Sequence, residues 1–230
     1  MTFLITNDDG IDATGIRTLH AALSQVTTKP SVIVAPKHHQ SGCSHHINIR
    51  TGIAVEHRSE DEISVESTPA DCVRLGVNYL YKDIDFVLSG INQGCNLGSD
   101  IYPSGTIAAT REATIHGIPA IAFSHFRRSE WEIDWERAKR WTIQVLNMLL
   151  EKPIAPGTFW SINFPHLTAD MAEPKTVFAP CCTRPLLTEF VLEGSSYRYV
   201  GDDINRKSDP GTDVDVCLSG NIAISKIQLW

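Results

Sequence analysis

Apolar residues change their period several times along the chain. TFLIT (Thr2 to Thr6) is a short β-rich run. Beyond the polar turn Asn7-Asp8-Asp9-Gly10, Ile16, Leu19, Leu23 and Val26 recur at helical spacing within GIRTLHAALSQV. The pattern predicts strand, turn and helix in succession. SVIVAP (Ser31 to Pro36) is apolar at successive positions, as a strand covered on both faces of a parallel sheet should be. The alternating segments TGIAVEH and EISVES predict a hairpin. Thr68 and Pro69 supply an N-cap and a first helical position for ADCVRLGVNYLY, and IDFVLSG is again a buried strand. Ser104 caps a helix through TIAATREATIH to Gly117, followed by the strand IPAIAFS. Asp134 caps a longer helix with an inward stripe of Trp135, Ala138, Thr142, Val145 and Leu149, after which TFWSINF returns as a strand.

Strand and helix alternate through residues 1–170. That alternation predicts an α/β fold with a doubly wound, mostly parallel, Rossmann-like sheet and helices on both faces. From Pro174 onward the helical signal fades. EFVLEGSSYRYVGDD predicts a hairpin turning at Gly194 to Ser196, so residues 171–230 are expected to be a β-rich C-terminal extension of a single-domain chain, with the composition of an oligomer arm.

The 230 residues suffice for one large α/β domain with a sizeable core. A formal net charge of -7 argues against a surface that coats a polyanion, because nonspecific nucleic-acid binding needs clustered Lys and Arg. The six cysteines show no CxxC spacing and are expected to be reduced thiols. The amino terminus has no basic, apolar targeting pattern, and no apolar run approaches the roughly 20 residues of a membrane span. A cytoplasmic protein, away from membranes and nucleic-acid polymers, is the expectation.

In an open parallel sheet, ligands bind beyond the carboxyl ends of the strands. The first strand ends at Asp8 and Asp9, the second leads into KHHQSGCS with Ser41, and FVLS ends at GINQGCN with Asn92 and Asn96. Two adjacent carboxylates in a low-dielectric crevice repel unless a cation lies between them. Carboxylate, hydroxyl and amide oxygens suit Mg²⁺ or Mn²⁺. Ser104, Gly105 and Thr106 open a helix, where free N–H groups and the helix dipole attract an anion, and phosphate is the anion expected beside such a metal.

Each of these stretches also has a plainer reading. Asn-Asp-Asp-Gly, Ser41-Gly42 and Ser89-Gly90 are ordinary loop chemistry, and Ser104 is an ordinary N-cap. Their arrival at successive strand ends favours the functional reading. His38, His39, His45 and His46 surround Ser41, but adjacent His pairs do not easily share one tetrahedral zinc; one of them is a candidate proton donor to a leaving alkoxide. Asp71 and Cys72 are assigned to helix opening and packing, Glu112 to a solvated helix face. The five tryptophans, Trp131, Trp135, Trp141, Trp160 and Trp230, are assigned to core and interface.

LITNDDGIDATGIRTLHAAL, VIVAPKHHQSGCSHHI, STPADCVRLG, DFVLSGINQGCNLGSDIYPSGTIAATREATIHGIPAIAFS and the late GTDVDVCLSGNIAIS resemble the survival protein E (SurE) family of metal-dependent nucleotidases. The combination TNDDG, SGxS and SGINxGxN is highly specific. The resemblance runs in order from Met1 through SINFP and resumes faintly near the carboxyl terminus. It implies a three-layer α/β/α fold, homodimers or homotetramers, and hydrolysis of nucleoside monophosphates, with some members also trimming polyphosphate. It also implies one divalent metal on Asp8, Asp9, Ser41 and Asn92, and phosphate contacts at Asn96, Ser104, Gly105 and Thr106.

Some positions depart from the family pattern: Ser67 precedes Thr68-Pro69, Pro103 stands before Ser104 with Tyr102 one place earlier, Ala113 follows Glu112, and Ser225-Lys226-Ile227 replaces the closing TPL. None removes an implied metal ligand. The attack then belongs to water, with Asp8 and Asp9 as the catalytic carboxylates. Two alternatives remain. One is a non-catalytic metal and nucleotide sensor. The other is a haloacid-dehalogenase-like phosphatase, whose register places Asn7, a very poor nucleophile, where an attacking Asp is needed.

Overall fold

The computed structural model describes residues 1–128, 132–168, 170–201 and 206–230. Its strands, in chain order, are β1 (Thr2–Thr6), β2 (Ser31–Pro36), β3 (Val55–His57), β4 (Glu62–Val65), β5 (Ile84–Gln93), β6 (Ala120–His125), β7 (Thr158–Phe164), β8 (Thr176–Phe178), β9 (Phe190–Glu193), β10 (Ser196–Tyr199) and β11 (Ile222–Gln228). Nine of them form one sheet in the order β3-β4-β2-β1-β5-β6-β7-β11-β8. From β4 to β7 every neighbouring pair is parallel. The predicted hairpin forms the antiparallel pair β3 and β4 at one edge.

Period-two alternation sends successive residues of β1 to opposite faces. Phe3 and Ile5 join one core with Ile16, Leu19 and Leu23 of α1 (Thr14–Val26) and Ala138, Val145 and Leu149 of α4 (Trp135–Leu149). Leu4 joins the other, with Cys72 and Val73 of α2 (Pro69–Leu75) and Ile107, Ala109 and Ala113 of α3 (Gly105–Ile115). Each fully buried Leu or Ile contributes about 1.5–3 kcal/mol. The result is the expected three-layer α/β/α sandwich.

The helix starts follow their caps. Asp71 N–H donates to Thr68 Oγ1 at 3.2 Å, Ile107 N–H to Ser104 Oγ at 3.1 Å and Arg137 N–H to Asp134 Oδ1 at 2.9 Å. α2 runs on into a π-helical turn, Gly76–Leu80.

The tail is built differently from the expected extension. β11 lies inside the main sheet, antiparallel to β7 and parallel to β8. Ile222 and Ile224 complete the core under α1 and α4, and α5 (Asp213–Leu218) packs with Leu97 and Phe126 in a third cluster. The boundary at residue 170 therefore does not separate core from extension. Only the β9–β10 hairpin stands apart, as its own two-stranded sheet with its turn at Gly194 and Ser195. Asp202 and Asp203 of that expected hairpin, and Trp131, lie outside the described residues. Among the described residues no helix is long and apolar enough to cross a membrane.

Candidate metal and phosphate site

Chain order along the sheet reverses between β1 and β5, the topological switch point where α/β sheets open a crevice at the strands' carboxyl ends. Loops after β1, β2 and β5 meet there and are tied together by their backbones. Gln40 N–H donates to Asp8 O at 2.7 Å, Ile11 N–H to Pro36 O at 2.8 Å and Ser44 N–H to Pro103 O at 2.9 Å. Beside them is a cavity of about 300 Å³ whose wall includes Asp8, Ser41, Asn92, Asn96 and Ser104. A larger cavity of about 460 Å³ beyond β7 is lined by residues such as His166 and Lys175 and none of the predicted site residues. Chemistry, rather than volume, places the site in the smaller one.

Asp8 is buried, and its Oδ1 accepts a hydrogen bond from the Thr106 hydroxyl. Burial pushes its pKa up to about 6; the Thr106 bond opposes the rise and the neighbouring Asp9 charge adds to it. Asp9 does not line the cavity. It is mostly buried just behind, its Oδ2 accepting the Gln93 N–H at 3.0 Å and its Oδ1 3.3 Å from His39 Nδ1. Burial raises its pKa too, against the Gln93 bond and the His39 ring. A divalent cation offsets such a cost at both carboxylates.

Asn92 donates its amide N–H to Gly94 O at 2.9 Å, which leaves Oδ1 as the end that could meet a cation. Two carboxylates, a hydroxyl and an amide oxygen make a hard donor set that fits Mg²⁺ or Mn²⁺. Among the described residues no three His, Cys, Asp or Glu side chains gather as a metal group. The imidazoles near Ser41 diverge, His39 toward Asp9 and His45 toward Glu112.

The anion half is assembled on α3. With Ile107 N–H taken by Ser104 Oγ, the first turn of α3 leaves the Gly105 N–H for an anion. Thr106 turns both its hydroxyl and its backbone N–H to the Asp8 carboxylate. Gly105 permits the close approach: a Cβ there would sit 2.8 Å from Asp8 Cβ and 3.0 Å from both Asp8 Oδ2 and Cys43 Sγ. Asn96 is fixed by Asn163 Oδ1, which accepts its N–H at 2.8 Å, and by Ser124 Oγ, 2.7 Å from its amide nitrogen. Cys43, close to Asp8, stays a thiol: burial and the Asp8 charge push its pKa up to about 11.

Several contributors were not visible in the pattern. Glu112 is buried, not solvated. It pairs with His45 Nε2 at 2.7 Å, His116 Nε2 at 3.2 Å and Arg74 Nε at 3.5 Å, and thereby fastens the Ser41 loop to α3 and α2. Burial alone would raise its pKa, but the His45 hydrogen bond, with His116 and Arg74 close by, holds it below the ordinary value. Asp71 is buried as well, accepting the Asn48 N–H at 2.9 Å. From the tail, Asp213 accepts the N–H groups of Gly98 at 2.8 Å and Cys182 at 2.7 Å, while Arg206 pairs with Asp100 at 2.5 Å and donates to Leu97 O at 3.2 Å. They clamp the turn between Asn96 and Ser104.

Fold and site together define a doubly wound α/β protein that gathers oxygen-bearing side chains beside a helix amino terminus at its switch point. The chain belongs to the family described as survival protein SurE, whose model matches residues 3–184. It is 46% identical to a putative 5'-nucleotidase of Nostoc sp., with 100% of both chains covered. It is 34% identical to the 5'-nucleotidase SurE of Paramagnetospirillum magneticum, covering 99% of this chain and 89% of that one. The crystal structure of the SurE protein from Aquifex aeolicus superposes with a TM-score of 0.87 at 31% identity, over 100% of this chain and 94% of that chain.

Proposed function

We propose that the protein is a divalent-metal-dependent phosphomonoesterase that releases phosphate from nucleoside monophosphates. The observation that carries this reading is the meeting of Asp8, Asn92 and Asn96 with the α3 amino terminus around one cavity. The names of the relatives support it. One Mn²⁺ or Mg²⁺ per chain, held by Asp8, Asp9, Ser41 and Asn92, would supply a Lewis acid for a phosphoryl oxygen and an acidified water.

The chain's own groups do the rest. Asn96 and Ser104, with the Gly105 N–H, orient the phosphoryl group and meet negative charge as it shifts toward the leaving oxygen, while Thr106 fixes Asp8 beside them. Asp8 and Asp9 are placed to take the proton of the attacking water. His39, the imidazole nearest the pair, is the candidate donor to the departing alkoxide. No protein nucleophile is needed, since Asn7 occupies the haloacid-dehalogenase position and Cys43 is held as a thiol. The six free cysteines support a reducing, cytoplasmic setting. A homodimer or homotetramer is part of this reading, supported by the exposed apolar face of the β9–β10 hairpin.

The test is phosphate release from AMP, GMP and inorganic polyphosphate under Mn²⁺ and Mg²⁺. The expected result is hydrolysis that EDTA abolishes and Asp9→Asn lowers at least a hundredfold. Nucleotide binding without phosphate release under any divalent ion would instead make the protein a sensor, and a trapped aspartyl-phosphate would restore the dehalogenase-like mechanism.

A further inference from the structure

The cavity that holds the candidate site has a second chemistry in its wall. Besides the oxygen ligands of the strand ends, Leu186 and Tyr199 line it, both from the segment between β8 and α5. Neither has a role in phosphoryl transfer. An apolar side chain and an aromatic ring at one cavity with a phosphate cradle match a ligand that joins a flat apolar ring to a phosphate. Resting on the phosphomonoesterase reading, we infer that Tyr199, with Leu186 beside it, is the platform on which the substrate's nucleobase stacks.

The ring is held in place. Tyr199 pairs across the hairpin with Phe190, the two rings 5.5 Å apart and tilted by 70° in an edge contact. It also folds back over Gly201, where an added Cβ would lie 2.1 Å from Tyr199 Oη and 2.4 Å from Cζ. Bare backbone at Gly201 is therefore what gives the ring its place. Even so buttressed, Tyr199 keeps 46% of its surface exposed, enough for a second ring to cover. A rigid, half-covered aromatic loses little entropy on binding, and stacking of this kind tolerates any base because every base has a π-face. The platform thus selects for nucleotides over other phosphomonoesters without choosing among bases.

The experiment compares AMP with ribose 5-phosphate, which keeps the phosphate and sugar but lacks the base. Under Mn²⁺, Tyr199→Ala is expected to lower kcat/KM for AMP about tenfold more than for ribose 5-phosphate, chiefly through KM, while Tyr199→Phe retains the preference. Gly201→Ala, which displaces the ring without removing it, should repeat the Tyr199→Ala effect. Unchanged melting temperatures establish that each variant is folded. Equal losses on both substrates, or no loss on either, overturn the platform. If the unsubstituted protein hydrolyses neither compound, the phosphomonoesterase reading fails separately, and calorimetric titration with the same two ligands decides. Tighter binding of AMP that disappears in Tyr199→Ala upholds the platform; equal or absent binding overturns it.

Discussion

His125 closes β6 with its imidazole sealed among rings. Trp141 lies 6.0 Å away and nearly parallel, with Phe164 at 6.2 Å and His166 at 5.8 Å in edge contacts. Its Nδ1–H donates to Phe126 O at 2.7 Å. Burial drives its pKa from 6.5 down to about 4, with the Phe126 carbonyl opposing that shift. The folded protein thus refuses a proton that the unfolded chain accepts. Stability from this group is complete above pH 6.5 and drains away as pH falls toward 4, by about 3 kcal/mol in all. Urea unfolding at pH 7.5 and pH 5 checks this: His125→Gln should lose about 2 kcal/mol less than the unsubstituted protein between the two, and parallel losses would contradict it. At this scale the sequence already pointed to one edge of the sheet, because Asp8 and Asp9 follow β1 while Asn92 and Asn96 lie at and just beyond the end of β5. Glu112 was hidden by an assumption that a charge on a helix faces water. The signal against it was present: Ala108, Ala109 and Ile115, at i−4, i−3 and i+3, flank Glu112 with apolar side chains on its own face of α3.

The β9–β10 hairpin is the element least explained by the packing of a single chain. Alternation puts Phe190, Leu192, Tyr197 and Tyr199 on one face, with the Arg198–Glu193 ion pair on the other. Leu192 and Tyr197, near the turn, are 57% and 71% exposed. An isolated two-stranded sheet is marginally stable in water, and an apolar face of this kind marks an association surface. Under the proposed reading a second copy of the chain covers the outer part of this face, Leu192 and Tyr197, and leaves Tyr199 to the cavity. Sedimentation should therefore find the protein as a dimer or tetramer and Leu192→Arg as a smaller species; a monomer, or a variant that sediments unchanged, would contradict the assignment. Elements with local cues, such as the Thr68, Ser104 and Asp134 caps and the Gly194 turn, were legible. β11 was not, because IAIS is short and its place between β7 and β8 depends on pairing with residues about 60 positions earlier.

In the whole molecule, one reversal of strand order creates the crevice, and three strand ends deliver the candidate ligands to it. The alternation of strands and helices was enough to foresee that geometry. The clamps were beyond it, since Arg206 and Asp213 come from a distant part of the chain, and so was the aromatic wall at Tyr199. The burial of Asp8 and Asp9 is costly as long as their charges stand alone, and the account turns on a hard cation relieving it. Crystals soaked in Mn²⁺ and measured at the manganese absorption edge test this most directly. The account predicts one anomalous peak per chain, about 2.2 Å from carboxylate oxygens of Asp8 and Asp9 and reached by Asn92. A peak among His38, His39, His45 and His46 instead, or none between the two carboxylates, would contradict it.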